Sequence, residues 1–275
     1  MSDLPIAEAG RKQHHLRRRS DRSFPTLRTV GALVLREMST RFGRTPGGYI
    51  WALLQPLGTI IMLSLAFSLL VRTPSLGSSF VLFKATGLMV LQMFRVVSNM
   101  VSKSMSFSKA LMAYPGVTWV DAVLARFILN ALVVTLVTAI ILTGIIIYED
   151  LSPLLDWQMI LGAMLLTAML AFGFGVFNAY MSERFDIYDN IWSIATTPLM
   201  IASGILFLFD DLPRFAQDIL WYNPLIHTVG MMRAGFYSVY QPQYISISFV
   251  LIVALVPTAL GLMLLRRHHR DLLIR

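Results

Sequence analysis

The chain has no cysteine, which excludes disulfides, a thiolate nucleophile and cysteine-ligated metal while leaving the redox compartment open. Charge is scarce as well. Only 14% of the residues are Asp, Glu, Lys or Arg, against the about 25% that a soluble domain uses to keep its surface in water. A G-x-x-x-x-G-K-[S/T] phosphate loop, an H-E-x-x-H helix and a dinucleotide fingerprint after a strand are all missing, so no nucleotide hydrolysis, cofactor or metal centre is expected within this chain. The five histidines, His14, His15, His227, His268 and His269, form no triad with a nearby nucleophile. Residues 1–26 lack an apolar h-region, and no cleavable signal peptide is expected.

What is present is hydrophobicity: 56% of the residues are apolar and the mean hydropathy is +0.66. The expected class is an all-α polytopic membrane protein, because helices satisfy their own backbone polar groups in lipid. Apolar stretches long enough to cross about 30 Å of hydrocarbon lie near 49–71, 80–100, 122–147, 159–181, 191–209 and 245–265, which predicts six spans. The net charge of +8 comes from basic residues that flank these runs and do not interleave with aromatics, so anionic membrane is the expected partner and nucleic acid is not. Outside the spans, 17 basic residues fall on the side of both termini and 3 on the other. Both termini are therefore expected in the cytoplasm. Residues 1–25 read as a disordered basic arm and 26–275 as one membrane domain.

The chain enters the membrane at Arg36–Pro56. Leu27, Val30, Val34, Met38 and Phe42 recur at helical spacing, with Arg28, Glu37, Thr40 and Arg41 between them, which predicts an amphipathic interfacial helix over 26–44. Pro46-Gly47-Gly48 breaks it, and Tyr49 and Trp51 belong at headgroup depth. Two roles stay open for Arg36, Arg41 and Arg44: anchoring on bilayer phosphate, or contact with an anionic substrate.

Charges inside spans are expensive and informative. Lys84 is expected to snorkel to the outer surface as an anchor. Arg95 lies deeper, with a pathway for an anionic substrate, a carboxylate partner and lipid snorkelling all open to it. In the fourth span Ala171, Gly175 and Ala179 leave one face small for close helix packing. The loop 102–121 combines a short helix with an apolar patch suited either to docking on another protein or to lying against its own bundle. Residues 210–244 are apolar enough to re-enter the membrane from outside as a paired short-helix hairpin. The carboxylate pairs Glu149/Asp150 and Asp210/Asp211 sit beside no convincing cavity motif, which gives little support to a membrane-embedded processing enzyme.

Three stretches carry a resemblance. They are A-L-V-L-R-E-M-S-T-R-F-G-R-T-P-G-G-Y-I-W-A-L-L-Q-P, K-A-L-M-A-Y-P-G-V-T-W-V-D-A-V-L-A-R-F, and A-S-G-I-L-F followed by L-W-Y-N-P-L-I-H-T-V-G-M-M-R. In this order the chain resembles the permease subunit of ABC polysaccharide exporters of the type 2 class, most closely the capsule-export, KpsM-like branch. The resemblance implies a homodimer with two ATP-binding subunits, which use the ATP and Mg. It implies a coupling helix holding Ser106, Lys109, Leu111, Met112 and Tyr114, and a periplasmic gate holding Trp221, Tyr222, Asn223 and Arg233. A lipid-linked acidic polysaccharide would pass through a canal at the dimer interface. A periplasmic co-polymerase and an outer-membrane polysaccharide export protein are the further partners it implies. Teichoic acid, O-antigen or another lipid-linked glycan is the alternative cargo. Two departures are the long arginine-rich arm at 11–22 and Pro46-Gly47, where that family often has a basic or bulky residue.

Overall fold

A computed structural model of the chain describes residues 25–42, 48–70, 73–112 and 116–274, and every regular element among them is helical. The basic arm expected at 1–25 lies outside the described residues except for Pro25. In chain order the helices are α1 (Pro25–Phe42), α2 (Gly48–Leu70), α3 (Phe80–Ser102), α4 (Ser104–Met112), α5 (Trp119–Tyr148), α6 (Trp157–Arg184), α7 (Tyr188–Thr196), α8 (Leu199–Ala202), α9 (Arg214–Leu220), α10 (Pro224–Phe236) and α11 (Ile247–Ile274). Five stretches among the described residues are long and apolar enough to cross a membrane: α2, α3 running on through α4, α5, α6 and α11.

The sixth expected span, 191–209, is not one continuous helix. The hydroxyls of Thr196 and Thr197 donate back to the carbonyls of Trp192 and Ser193, competing for acceptors the helix ladder needs. Pro198 then brings no N–H to the ladder, and α8 lasts four residues before Gly204 takes φ +74°, a conformation glycine adopts without penalty. Hydropathy saw an apolar run here, and local backbone chemistry cut it.

Helix ends follow local rules. Thr118 and Asp121 form a reciprocal capping box on α5. Asp156 caps α6 by accepting from the N–H groups of Gln158 and Met159, while its own N–H donates to Gly235 O at 2.9 Å. That last bond fastens the end of α10 to the start of α6.

Helix α6 is the central strut, packed on α3, α10 and α11. Its predicted small face works as a seam. Ala171 and Ala179 are fully buried, and a Cβ at Gly175 would lie 2.7 Å from Val101 Cβ of α3. A second seam runs to α11, where Gly173 leaves no room for a Cβ against the Ala254 carbonyl and Gly261 approaches Phe177 N in return. Close backbone approach of this kind holds helices together in lipid, which supplies no hydrophobic force between them. Met62, Leu69, Ile147 and Met263 point outward from α2, α5 and α11, as lipid-facing residues do.

Helices α2 and α5 run one way and α3, α6 and α11 the other, with Gly173 beside Ala254, Phe177 beside Gly261 and Tyr180 beside His268 setting α6 parallel to α11, which sorts the connections into two poles. One carries α1, α4, the start of α5 and the end of α6. The other carries the links at 73–79 and 149–156 together with α9, α10 and the approach to α11.

Candidate functional site

At the α4 pole the organising group is Arg126, about two turns into α5. Its Nε lies 3.3 Å from Glu37 Oε2 of α1, its Nη1 donates to Met100 O of α3 at 3.0 Å, and its guanidinium sits 4.1 Å from the centre of the Phe107 ring of α4. Arg36 approaches the same ring at 5.9 Å. Four helices therefore meet on one side chain. These groups border a cleft of about 530 Å3 together with Thr40, Lys103 and Ser106.

This geometry corrects the expectation for α1. Glu37, assigned to the polar positions of an amphipathic helix, is buried against the bundle, whereas Leu27 and Leu35 are each 68% exposed. A partner for Glu37 outweighs the apolar pattern, because a buried carboxylate without a countercharge is far more costly than an exposed leucine. Of the residues expected to meet headgroup or substrate, Arg36 and Trp51 are exposed. The side chains of Arg41 and Tyr49, and all of Arg44, lie outside the described residues.

On α4, Ser106 is exposed and its hydroxyl donates to Lys103 O at 3.3 Å, while Met112 packs against the core. Lys109 and Leu111 are half-buried, and Tyr114 lies outside the described residues. Phe107, which the sequence reading did not single out, is the residue that ties α4 to the arginines.

At the opposite pole the 205–207 segment is held by two cations. Arg233, 2% exposed, donates to Phe207 O at 2.9 Å and Ile205 O at 3.2 Å, with its guanidinium 3.9 Å from the Phe83 ring centre. Lys84, also 2% exposed, donates to Leu206 O at 2.9 Å and lies 3.8 Å from the Phe67 ring centre. The expected snorkelling anchor at Lys84 is thus overturned: the ammonium turns inward, since three consecutive carbonyls outside a helix need donors that lipid cannot give. Aromatic faces supply the rest of the cation's surroundings.

The expected hairpin residues are mostly framework here. Asn223 caps α10 by accepting Leu225 N–H at 3.0 Å and donates to Ala202 O at 2.9 Å; Trp221 Nε1 donates to Tyr244 O at 3.2 Å. His227 Nδ1 accepts Ser246 N–H at 3.2 Å, so Nε2 carries the proton and donates to Trp221 O at 2.8 Å. Tyr222 alone of the four gate candidates is strongly exposed, at 71%. Beside them Tyr240 donates to Asp210 at 2.9 Å and lies 3.2 Å from the Tyr244 hydroxyl. Burial pushes the Tyr244 hydroxyl from its ordinary 10.0 up to about 12, and Tyr240 rises for the same reason. Asp210 is thus engaged in structure, and Glu149/Asp150 lie on a different connection.

Arg95, the deep arginine of α3, is exposed on the border of a polar cleft between α3, α6 and α7, with no ion pair among the described residues. No group of three or more metal-ligating side chains occurs among the described residues.

Residues 28–237 match the family model of the ABC-2 type transporter. The chain is 28% identical over 240 residues to the capsule polysaccharide export inner-membrane protein CtrC of Neisseria meningitidis, covering 87% of this chain and 91% of that one. It is 27% identical over 239 residues to the capsule polysaccharide export inner-membrane protein BexB of Haemophilus influenzae, covering 87% and 90%. To the polysialic acid transport protein KpsM of Escherichia coli it is 26% identical over 245 residues, covering 89% and 95%. With a family model spanning most of its length, the chain belongs to the ABC-2 type transporter family.

Proposed function

We propose that this chain is the membrane subunit of an ATP-driven exporter of capsular polysaccharide. The observation that carries this reading is the set of relatives named for capsule polysaccharide export and for polysialic acid transport, each matched over nine-tenths or more of its own length. In this reading two copies pair to enclose a canal and two separate ATP-binding subunits, which use ATP and Mg, dock at the α4 pole. A lipid-linked acidic glycan enters there and leaves at the α9–α10 pole, toward a periplasmic co-polymerase and an outer-membrane export protein. The broken α7–α8 segment completes the wall in place of a sixth regular span.

Physical chemistry supports the assignment of poles. Arg126 joins α1, α3, α4 and α5, so a push on α4 at Phe107 reaches both the interfacial helix and a long span without an intervening soft element. Arg36, Arg41 and Arg44 supply cations where a phosphate-bearing substrate end arrives at headgroup depth. A sliding polymer requires several weak contacts rather than one deep pocket.

Deletion of the gene should abolish surface polysaccharide, and this chain supplied together with its ATP-binding subunit should restore it. Unchanged surface polysaccharide in the deletion strain overturns the reading.

A further inference from the structure

The cleft between α3, α6 and α7 encloses about 260 Å3 at the α4 pole. Helix periodicity builds one wall of it, since Arg95, Asn99 and Lys103 follow one another at intervals of four residues along α3 and its cap. Facing them is Asn178 of α6, 1% exposed, whose Oδ1 accepts the Tyr188 hydroxyl at 2.7 Å. Its Nδ2 is buried with no hydrogen-bond partner. A buried amide donor left in that state is unfavourable, and an acceptor entering the cleft would relieve it.

Trp192 of α7 also lines the space. Its ring is fixed by stacking on Tyr188, at 6.5 Å and 13° between planes, and by Phe174 at 5.6 Å. The one carboxylate of the lining, Asp189, accepts the Ser182 hydroxyl at 2.6 Å, and no carboxylate among the described residues lies within ion-pair distance of Arg95 or Lys103. The cleft therefore combines two uncommitted cations, two amides, serine hydroxyls and one rigid indole.

We propose that this cleft is a subsite for a single acidic sugar residue of the exported glycan, an inference that rests on the export reading above. Arg95 and Lys103 take the carboxylate, Asn99 and Asn178 bond to ring hydroxyls or an acyl oxygen, and Trp192 offers an apolar face to the pyranose. The volume is below the roughly 300 Å3 at which pockets for drug-sized molecules begin, which suits one residue of a chain that must move on. A lipid phosphate shares the negative charge, but it makes no use of an indole face and a pair of amides.

The test uses the chain with its ATP-binding subunit in phosphatidylcholine nanodiscs. The probes are end-labelled tetramers of sialic acid and of galacturonic acid, with maltotetraose as the neutral control. Wild type should bind at least one acidic tetramer more tightly than maltotetraose. Arg95→Gln with Lys103→Gln should weaken that binding tenfold or more and leave maltotetraose unchanged, and Trp192→Leu should weaken acidic and neutral tetramers alike. Because Asn178→Leu perturbs a buried site, Asn178→Ser is its companion, and melting temperature is read for every variant. The subsite is overturned by acidic binding that the double variant leaves intact, by no acidic binding in wild type, or by equal competition from phosphatidylglycerol, which would assign the cleft to lipid phosphate. Failure of the export reading is separate, being read as surface polysaccharide that survives deletion of the gene.

Discussion

Arg126 Nε lies 3.3 Å from Glu37 Oε2, and both side chains are more than nine-tenths hidden from solvent. Helices α5 and α1 are thereby joined by an ion pair where neither charge has water to fall back on.

Breaking that pair from one side strands the other charge, a loss of about 3–5 kcal/mol. Glu37→Gln or Arg126→Met should lower the melting temperature of the detergent-solubilised protein sharply. The double variant Glu37→Met/Arg126→Leu should recover most of it while leaving ATP hydrolysis by the partner subunit uncoupled from export. A double variant that melts no higher than the singles would argue against the pair as the source of the loss.

Arg233 serves two carbonyls and Lys84 one. Hydrogen bonds to a charged group contribute about 1.5–3 kcal/mol each, so Arg233→Met should destabilise more than Lys84→Met. The absence of native cysteine makes the local consequence readable, since Leu206→Cys should react with maleimide faster in either background than in wild type. Equal labelling rates would mean that other groups hold 205–207.

Two glycines separate packing from propensity. At Gly175 a Cβ meets Val101 at 2.7 Å, whereas at Gly144 nothing lies within 4 Å. Gly175→Val should part α6 from α3 and reduce the yield of folded protein. Gly144→Ala should raise the melting temperature slightly, reflecting up to about 1 kcal/mol of helix propensity. If both substitutions have the same sign, the α6–α3 seam is not what holds these helices.

Tyr244 ionises near 12 in the fold against 10.0 in the unfolded chain. A raised pKa means its contribution is complete below pH 10 and is lost as pH rises toward 12. Thermal stability should therefore fall across that window, and Tyr244→Phe should flatten the decline. A profile identical to wild type in the phenylalanine variant would assign the decline to other groups.

Orientation can be read with single cysteines at the exposed Ser78, at Asp156 and at Gln217. An impermeant maleimide should label all three from outside the cell. Labelling only after permeabilisation would invert the two poles.

Much of this protein was legible in order and type. The presence and order of α2, α3, α5, α6 and α11 follow from apolar runs, though α5, α6 and α11 run past the ends of theirs, and the α6 seam follows from Ala171, Gly175 and Ala179, because lipid imposes a minimum length and small-residue packing on any helix within it. The stretch 191–209 reads as one span but is not one continuous helix, since hydropathy averages over the Thr196-Thr197-Pro198 break that local hydrogen bonding makes decisive. Lys84 and Arg126 were visible as charges in or at the edge of spans, and that was the available signal. Their partners were not visible, lying 122 residues away at Leu206 for one, and on α1, α3 and α4 for the other.

By itself the sequence determined that the chain lives in a membrane and that it is helical, because each of these depends on composition along a local stretch. The tertiary structure alone decided which charges face inward. A buried ion or an irregular carbonyl run is tolerable only when distant residues supply its partner, and no pattern along the chain states which residues those are.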